Sequence, residues 1–306
     1  MPTPATFDRL AVIGNGIIGH GVAQVYAVAG KDVVMIGRSD DSLARALENI
    51  RASLADFTRH GLVSEDQAAA AIARITTSTE LADAAGAQLV IEAVSHDMPL
   101  KVELFGQLDR ICPPPTVLAT TSGSPASEVH EQVQHRDRVI AMHFWYPPQL
   151  IPVVEVCGSP ETGPDVVAWA CDAVRACDKK PAVIEREIPG FIGNRLQFAL
   201  IREAWALWAS GAATAEAIDQ TVRLTIGRRL GITGPIESAD IGGLPTMLAF
   251  AQGLQPHLDT AAQPPRAIAD VAQRGGIYDW GRRDAGALRA ARTEELFRWL
   301  EVDREG

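Results

Sequence analysis

The chain has 306 residues, of which 47% are hydrophobic, and its 28 basic and 38 acidic side chains give a formal net charge of −10 at pH 7. This length predicts about two domains, with cores large enough to form without disulfides or a bound metal. The composition excludes a disordered, collagen-like or coiled-coil protein, and the acidic balance excludes a nucleic-acid-binding protein, because phosphate binding needs clustered basic side chains.

The first half of the chain alternates short apolar runs with amphipathic stretches, which is typical of βαβ units around a parallel sheet. Strands are predicted at residues 10–13, 33–36, 88–93, 117–119, 139–143, 152–156 and 182–184. Helices are predicted at residues 17–29, 40–59, 64–75, 99–109 and 164–177. We therefore expect a doubly wound α/β domain over residues 1–187.

The pattern changes after residue 187, where the alternation of strands and helices ends. The later apolar runs have helical spacing and are separated by glycine or proline. Helices are predicted at residues 191–210, 215–225, 244–254, 268–273 and 285–300. We therefore expect an all-α C-terminal domain over residues 188–306.

The cysteines and the possible targeting segments limit the class of protein further. Four cysteines stand apart, with no C-x-x-C pair and no zinc-like grouping with histidine. We therefore expect reduced thiols, no metal site and a cytoplasmic location. Residues 11–30 could imitate a signal or membrane segment, but their five glycines and three polar side chains argue against both, and no membrane partner is expected.

A glycine-rich turn joins the first predicted strand to the first predicted helix. It has the sequence G-x-G-x-x-G and consists of Gly14, Asn15, Gly16, Ile17, Ile18 and Gly19. The first glycine permits a tight turn, the second lets the backbone approach a pyrophosphate, and the third lets the helix pack closely on the strand. Backbone N–H groups and the helix dipole then hold the phosphates. These residues predict a dinucleotide-binding domain of the Rossmann type.

The end of the second predicted strand bears on the choice between NAD and NADP. NAD-binding chains usually have an acidic residue there for the ribose hydroxyls, whereas here Gly37 and Arg38 follow the strand and the first acid is Asp40. A small residue followed by arginine leaves room for a 2′-phosphate and supplies a guanidinium to bind it. We therefore hypothesise that NADP is used or tolerated. The alternative is that Arg38 stacks on the adenine, or that Asp40 or Asp41 reaches the ribose.

His143 is the best candidate for a proton acceptor beside a bound nicotinamide, because it ends the predicted strand 139–143. Glu155 follows within an apolar run, where an unpaired carboxylate is costly. A pair of the two meets that need, sets the imidazole tautomer and raises its basicity. The alternative is that His143 is structural and that Glu155 is a surface residue at a strand edge.

Over nearly its whole length the sequence resembles the 3-hydroxyacyl-CoA dehydrogenase family. The resemblance rests on ordered motifs, which are far more specific than the glycine turn alone. They are the glycine turn with Gly21, residues 91–94, Lys101 within 101–105, residues 121–122, His143, Pro147, residues 154–156, 189–195 and 234–235, Glu237 and Asp240.

The resemblance implies a site as well as a fold. It implies that His143 is the catalytic base and that Glu155 orients it. It also implies that Ser122 and Asn194 form hydrogen bonds with the substrate. It also implies that Glu92 and Lys101 lie near the cofactor. The alternative for Ser122 and Asn194 is that they cap the loop and the helix in which they lie.

The reaction and the partners follow from the same resemblance. It implies interconversion of a 3-hydroxyl and a 3-keto group by hydride transfer to NAD or NADP. The small-molecule substrate it implies is a 3-hydroxyacyl-CoA resembling 3-hydroxybutyryl-CoA, within fatty acid metabolism. It also implies a homodimer through the helical domain, whose first helix carries apolar side chains at Leu196, Leu200, Trp205 and Trp208.

Several residues depart from the CoA-dependent members. Residues 119–123 stand where those members usually have Ser-Asn-Thr-Ser-Ser, and Trp145 and Tyr146 stand where they have an aromatic residue and asparagine. Residues 147–152 look more like gulonate and carnitine dehydrogenases, and are similar to a pyridoxine-degradation dehydrogenase. One alternative is thus a dehydrogenase of a small CoA-free hydroxy acid or aromatic alcohol, with Trp145 lining the pocket or merely packing. Another is a non-catalytic, crystallin-like or cofactor-sensing protein.

Overall fold

The computed structural model describes residues 7–305 of the chain. Contacts between residues divide it into two compact units. Residues 193–290 form the second unit, and the residues up to 192 together with those from 291 onward form the first. Within the described part of the chain, none of the helices has the length and apolar character needed to cross a membrane.

The first unit is built on one eight-stranded sheet. Its strands are β1 (Arg9–Ile13), β2 (Asp32–Ile36), β3 (Ile75–Ser78), β4 (Leu89–Glu92), β5 (Val117–Thr120), β6 (Val139–Phe144), β7 (Val153–Gly158) and β8 (Lys180–Val183). They lie in the order β3-β2-β1-β4-β5-β6-β7-β8, and only β6 and β7 are antiparallel neighbours. The strand order reverses between β1 and β4, which is where open α/β sheets bind ligands at the carboxyl ends of their strands.

The helices are divided between the two units. Those of the first unit are α1 (Gly19–Val28), α2 (Asp40–Arg59), α3 (Glu65–Ala73), α4 (Met98–Ile111) and α5 (Pro164–Arg175). Those of the second unit are α6 (Gly193–Ala209), α7 (Ala215–Leu224), α8 (Ile226–Leu230), α9 (Pro235–Ile241), α10 (Leu244–Leu254) and α11 (Arg266–Ala272). A last helix, α12 (Ala285–Glu305), begins among the residues of the second unit and ends among those of the first.

Apolar strand residues alternate between two buried clusters, one on each face of the sheet. In β1, Leu10 and Val12 belong to one cluster, while Ala11 and Ile13 belong to the other. Because helices bury both faces, the strands are continuous apolar runs and could be located from the sequence. The predicted α/β domain of the Rossmann type followed by helices is thus confirmed.

Some element boundaries differ from the prediction. The helix expected over residues 64–75 ends at Ala73, and the edge strand β3 begins at Ile75. Only Ile75 of that strand is buried, so the strand has no apolar run that the sequence could reveal. The short helices α8 and α9 were not predicted either, since a helix of five or seven residues carries too little periodic pattern.

The contacts also divide the chain differently from the predicted boundary at 187/188. Phe191 is fully buried in one of the two clusters of the sheet. At the other end of the chain, Phe297 and Leu300 of α12 are buried in the other cluster, and the Phe297 ring packs edge-on against Phe57 at 5.1 Å between centroids. These side chains find their apolar partners far away in the sequence, whereas the prediction assumed two contiguous domains.

Candidate active site

The glycine turn joins β1 to α1 at the point where the strand order reverses. Gly14 has a φ of +99°, and a side chain there would lie 2.6 Å from the Ala93 carbonyl oxygen. A side chain at Gly19 would overlap the Gly14 carbonyl oxygen, whereas Gly16 faces open space. The outer glycines therefore let strand, turn and helix pack tightly, and the middle one leaves the backbone open to a ligand.

The first turn of α1 also suits a phosphate. Ile18 precedes the helix without a side-chain cap, and no acidic residue lies in the first turn. Burial lowers the pKa of His20, while hydrogen bonds to the backbone of Gly16 and Asn15 oppose that shift. The first N–H groups of the helix therefore have no side-chain cap and no nearby acid to compete with an anion, which the helix dipole favours at this end. This turn therefore fits the pyrophosphate of a dinucleotide.

A buried ion pair lies next to this turn, at the carboxyl end of β4. Lys101 Nζ lies 2.6 Å from Glu92 Oε1, and the two side chains are 2% and 0% exposed. Glu92 Oε1 also accepts the Val94 backbone N–H at 2.7 Å, and its Oε2 accepts the Thr120 hydroxyl at 2.7 Å. The pair thus connects α4 and β5 to the end of β4. The next residue, Ala93, lies against the glycine turn. It supports the turn from inside the fold.

Arg38 lies exposed at the carboxyl end of β2, beyond Gly37. A side chain at Gly37 would lie 2.8 Å from the Asn15 side-chain oxygen, which explains the small residue. Asp40 and Asp41 lie in the first turn of α2, where acidic side chains stabilise the helix dipole. The geometry therefore gives both acids a structural role within the helix.

The antiparallel pairing of β6 and β7 sets His143 directly opposite Glu155. His143 Nδ1 lies 2.7 Å from Glu155 Oε2, and the two side chains are 12% and 3% exposed. The Trp145 indole N–H donates to the same oxygen at 3.1 Å, and the Ile192 backbone N–H donates to Oε1 at 2.9 Å. Both carboxylate oxygens are therefore held, which compensates the burial of their charge.

Trp145 is the member of this group that the sequence did not reveal. It was expected either to line a substrate pocket or to pack, whereas its indole donates a hydrogen bond to Glu155. The available signal was its spacing from His143, since residues two apart in extended chain point to the same side. The backbone donor Ile192 left no comparable signal, because any residue type supplies an N–H.

Ser122 and Asn194 lie in different units. Ser122 follows β5, and its backbone N–H donates to the Thr120 hydroxyl at 3.2 Å. The next residue, Gly123, accepts the Gly190 N–H at 3.0 Å, which ties this loop to the segment before Phe191. Asn194 is the second residue of α6. The substrate contacts predicted for both residues stay proposals.

One thiol lies near the His–Glu pair. Burial raises the pKa of Cys157 to about 11, and the negative charges of Glu187 and Glu155 act in the same direction. The thiol therefore stays protonated at neutral pH. Among residues 7–305, no group of three histidine, cysteine, aspartate or glutamate side chains is arranged to hold a metal ion.

Comparison with known proteins identifies relatives of the whole chain. The sequence profile of the 3-hydroxyacyl-CoA dehydrogenase NAD-binding domain matches residues 9–188, and that of the C-terminal domain matches residues 190–277. A probable 3-hydroxybutyryl-CoA dehydrogenase of Bacillus subtilis is 34% identical, over 89% of this chain and 97% of that protein. L-carnitine dehydrogenase of Streptomyces griseus is 35% identical, over 94% of this chain and 95% of that protein.

A solved structure resembles the chain over nearly its full length. It is the crystal structure of 5-formyl-3-hydroxy-2-methylpyridine 4-carboxylic acid 5-dehydrogenase, described as an NAD⁺-dependent dismutase. The two chains superpose with a TM-score of 0.89 at 26% sequence identity, over 97% of this chain and 99% of the other. Relatives named for a CoA derivative and relatives named for compounds without CoA are therefore both similar to this chain.

Proposed function

Since this chain belongs to the 3-hydroxyacyl-CoA dehydrogenase family and is an NAD-dependent dehydrogenase, we propose that His143 is the base that takes the proton of the substrate hydroxyl. The observation that carries the proposal is the 2.7 Å contact between His143 Nδ1 and Glu155 Oε2. An ionised carboxylate only accepts hydrogen bonds, so Nδ1 carries the proton and Nε2 keeps its lone pair. The buried carboxylate then stabilises the imidazolium that forms.

The remaining site residues position the substrate. In the oxidation, Nε2 takes the hydroxyl proton, and the imidazolium returns it to the developing alkoxide in the reverse reaction. NAD, when bound, supplies the acceptor for the hydride that leaves carbon 3. Ser122 and Asn194 are proposed to hydrogen-bond the substrate oxygen and keep it in line with Nε2.

The proposed cofactor site depends on short-range contacts. Residues 1–187 contain 24 acidic and 15 basic side chains, so bulk attraction does not favour an anionic dinucleotide. The glycine turn and the dipole of α1 are proposed to hold the phosphates. Glu92 and Lys101 support the turn from the interior, and Arg38 is the exposed cation at the end of β2.

Arg38 is expected to decide how well NADP is accepted. A guanidinium there pairs with a 2′-phosphate, which NAD lacks. Arg38→Gln is therefore expected to lower kcat/KM for NADP by about tenfold and to leave that for NAD within about twofold. Steady-state rates with both cofactors test this, with Arg51→Gln on the exposed side of α2 as the control. A tenfold or larger preference of the unchanged enzyme for NAD contradicts NADP use.

For the substrate we propose a short-chain 3-hydroxyacyl-CoA such as 3-hydroxybutyryl-CoA. The support is that both matching family profiles carry that activity in their names and together cover residues 9–188 and 190–277. Such a reaction belongs to fatty acid metabolism. A cytoplasmic location is proposed with it, because the four buried cysteines are free, as expected in a reducing compartment.

A CoA-free hydroxy acid or aromatic alcohol is the second candidate. It is favoured by the full-length superposition on the pyridine carboxylate dehydrogenase and by the identity with L-carnitine dehydrogenase. Residues after 277 lie outside both family profiles, and they include α12, whose Phe297 is buried in the core of the first unit. Helix α12 thus belongs to the folded core, although it lies outside the residues that match the 3-hydroxyacyl-CoA dehydrogenase profiles.

A substrate screen separates the two candidates. The rate of reduction of acetoacetyl-CoA is compared with the rates for acetoacetate and 3-dehydrocarnitine, using NADH and NADPH. Oxidation of hydroxymethylpyridine carboxylates is measured with NAD and NADP. The CoA proposal expects kcat/KM for acetoacetyl-CoA to exceed that for acetoacetate by at least about a hundredfold, because binding of the CoA portion contributes to transition-state stabilisation. The reverse order selects the second candidate. No turnover with any of these compounds would place the substrate outside both candidate classes.

We also propose that the second unit forms a homodimer. No residue of α6 to α11 is buried. Their exposed apolar side chains include some that are 55% to 84% exposed: Leu196, Phe198, Ile236, Ile241 and Phe250. A soluble monomer rarely leaves so much apolar helix surface in water, and a second copy of the unit would cover it.

Light scattering after size-exclusion chromatography tests the dimer. A species of about 65 kDa is expected, twice the 32.7 kDa of one chain. Ile236→Asp is expected to shift the mass toward one chain, because the charge would be buried in the interface. Val302→Asp on α12 is the control at an exposed apolar residue outside this unit. A single-chain mass for the unchanged protein overturns the proposal.

A further inference from the structure

Glu155 accepts hydrogen bonds from two side chains on one of its oxygens. His143 Nδ1 lies 2.7 Å from Oε2, and Trp145 Nε1 lies 3.1 Å from the same atom. The two rings lie beside one another, with centroids 5.3 Å apart and planes tilted by 58°. The indole and the imidazole therefore share the negative charge of one buried oxygen.

We propose that Trp145 is a positioning residue that acts through Glu155 to set how readily His143 releases its proton. The inference rests on the proposed function only for its kinetic consequence, because the effect on His143 is present with or without substrate. Trp145 does not need to touch the substrate or the cofactor for this role.

The indole N–H has two effects on the carboxylate. The hydrogen bond from the indole stabilises the negative charge on Glu155 Oε2. That oxygen therefore attracts the imidazolium of His143 less strongly than it would without the indole. It also fixes the oxygen in space, because indole nitrogen donates only and its ring is rigid. Without this donor, the protonated form of His143 gains a stronger partner, so the imidazole is expected to hold its proton to higher pH.

Ionisable groups on neighbouring elements have contacts of their own. Glu92 and Lys101 form an ion pair with each other at the end of β4, and Glu187 accepts the Ser127 backbone N–H at 2.9 Å. Cys157 on β7 has its pKa raised to about 11 by burial, so it carries no charge near neutral pH. The strand next to β6 in the sheet is β5, and the polar side chains of β5 and of residues 121–125 after it are hydroxyls, which do not ionise in this range.

The test removes the indole N–H in two ways. Trp145→Phe deletes the donor and part of the ring, and benzothienylalanine at position 145 replaces only the N–H by sulfur while keeping the ring shape. The second replacement keeps the test valid if the smaller phenyl ring disturbs folding. Trp299→Phe is the matched control, because Trp299 lies partly exposed on α12 beside Arg298.

Two readouts are measured on the full-length enzyme. The His143 ring signals are followed by long-range proton–nitrogen NMR against pH, and the oxidation rate is measured over the same range with the best substrate of the screen. Both midpoints are expected to rise by roughly half to one pH unit in the two Trp145 variants. Below the midpoint, the oxidation rate then falls by about three- to tenfold and recovers at high pH.

The outcomes separate this inference from the proposed function. An unchanged NMR midpoint in the benzothienylalanine protein overturns the role of Trp145, whatever the rates do. A shifted NMR midpoint with an unshifted rate profile supports the role of Trp145 and contradicts His143 as the base. Movement of both midpoints, with neither moving in the Trp299 control, supports both.

Discussion

His143→Gln is expected to lower kcat by about two to four orders of magnitude, the range that general acid–base catalysis contributes. The glutamine amide can still donate to Glu155, so the buried carboxylate keeps a partner and the fold is expected to survive. What the amide cannot do is take the substrate proton, because it has no titratable nitrogen. The dissociation constant of NAD is expected to change little, since the glycine turn lies between β1 and α1 and His143 lies on β6.

The measurement needs turnover and cofactor binding in the same preparation. Steady-state kinetics report kcat, and fluorescence titration with NADH reports the affinity. His135→Gln is the matched control, because His135 precedes the opposite end of β6 and contacts Asp109 at 3.2 Å. Near-normal turnover of His143→Gln would refute the assignment, whereas a joint loss of turnover and NADH binding would point to misfolding of the site.

Lys101→Met is expected to lower the free energy of unfolding by about 3–5 kcal/mol, the usual cost of leaving one member of a buried ion pair without its partner. Glu92 is fully buried, so its charge has no water to replace the lost ammonium. The Val94 N–H and the Thr120 hydroxyl remain as hydrogen-bond donors, but neither carries a charge. Urea unfolding followed by circular dichroism measures the change.

A double variant shows whether the loss comes from the unpaired charge. Glu92→Gln combined with Lys101→Met removes both charges, keeps an acceptor for Val94 and offers a donor to Thr120. Most of the lost free energy is expected to return, because the cost of burying an unpaired carboxylate disappears. Arg51→Met, which breaks an exposed pair with Glu48, is the control and is expected to leave stability nearly unchanged. An unaltered midpoint for Lys101→Met alone would contradict the buried-pair argument.

Part of the site follows from local rules that the sequence obeys. The glycine turn was predictable because it lies between an apolar strand and a helix, and only glycine suits Gly14 at its φ of +99°. The pairing of His143 with Glu155 was predictable as well. An ionisable residue inside an apolar run needs a partner, and the antiparallel register of β6 and β7 supplies it.

The sequence by itself thus determined the α/β domain, the helical region after it and the pairing of two residues of the candidate site, His143 and Glu155, because these depend on periodicity and on the cost of a buried charge. Tertiary structure decided the rest: the closure of Lys101 on Glu92, the shared oxygen between Trp145 and His143, and the return of α12 to the first unit. In that last case the hydrogen bond from His60 to Glu301, at 2.9 Å, joins residues 241 positions apart. Such contacts depend on which faces the folded chain brings together. Only the Trp145 contact left a local signal, its spacing of two residues from His143.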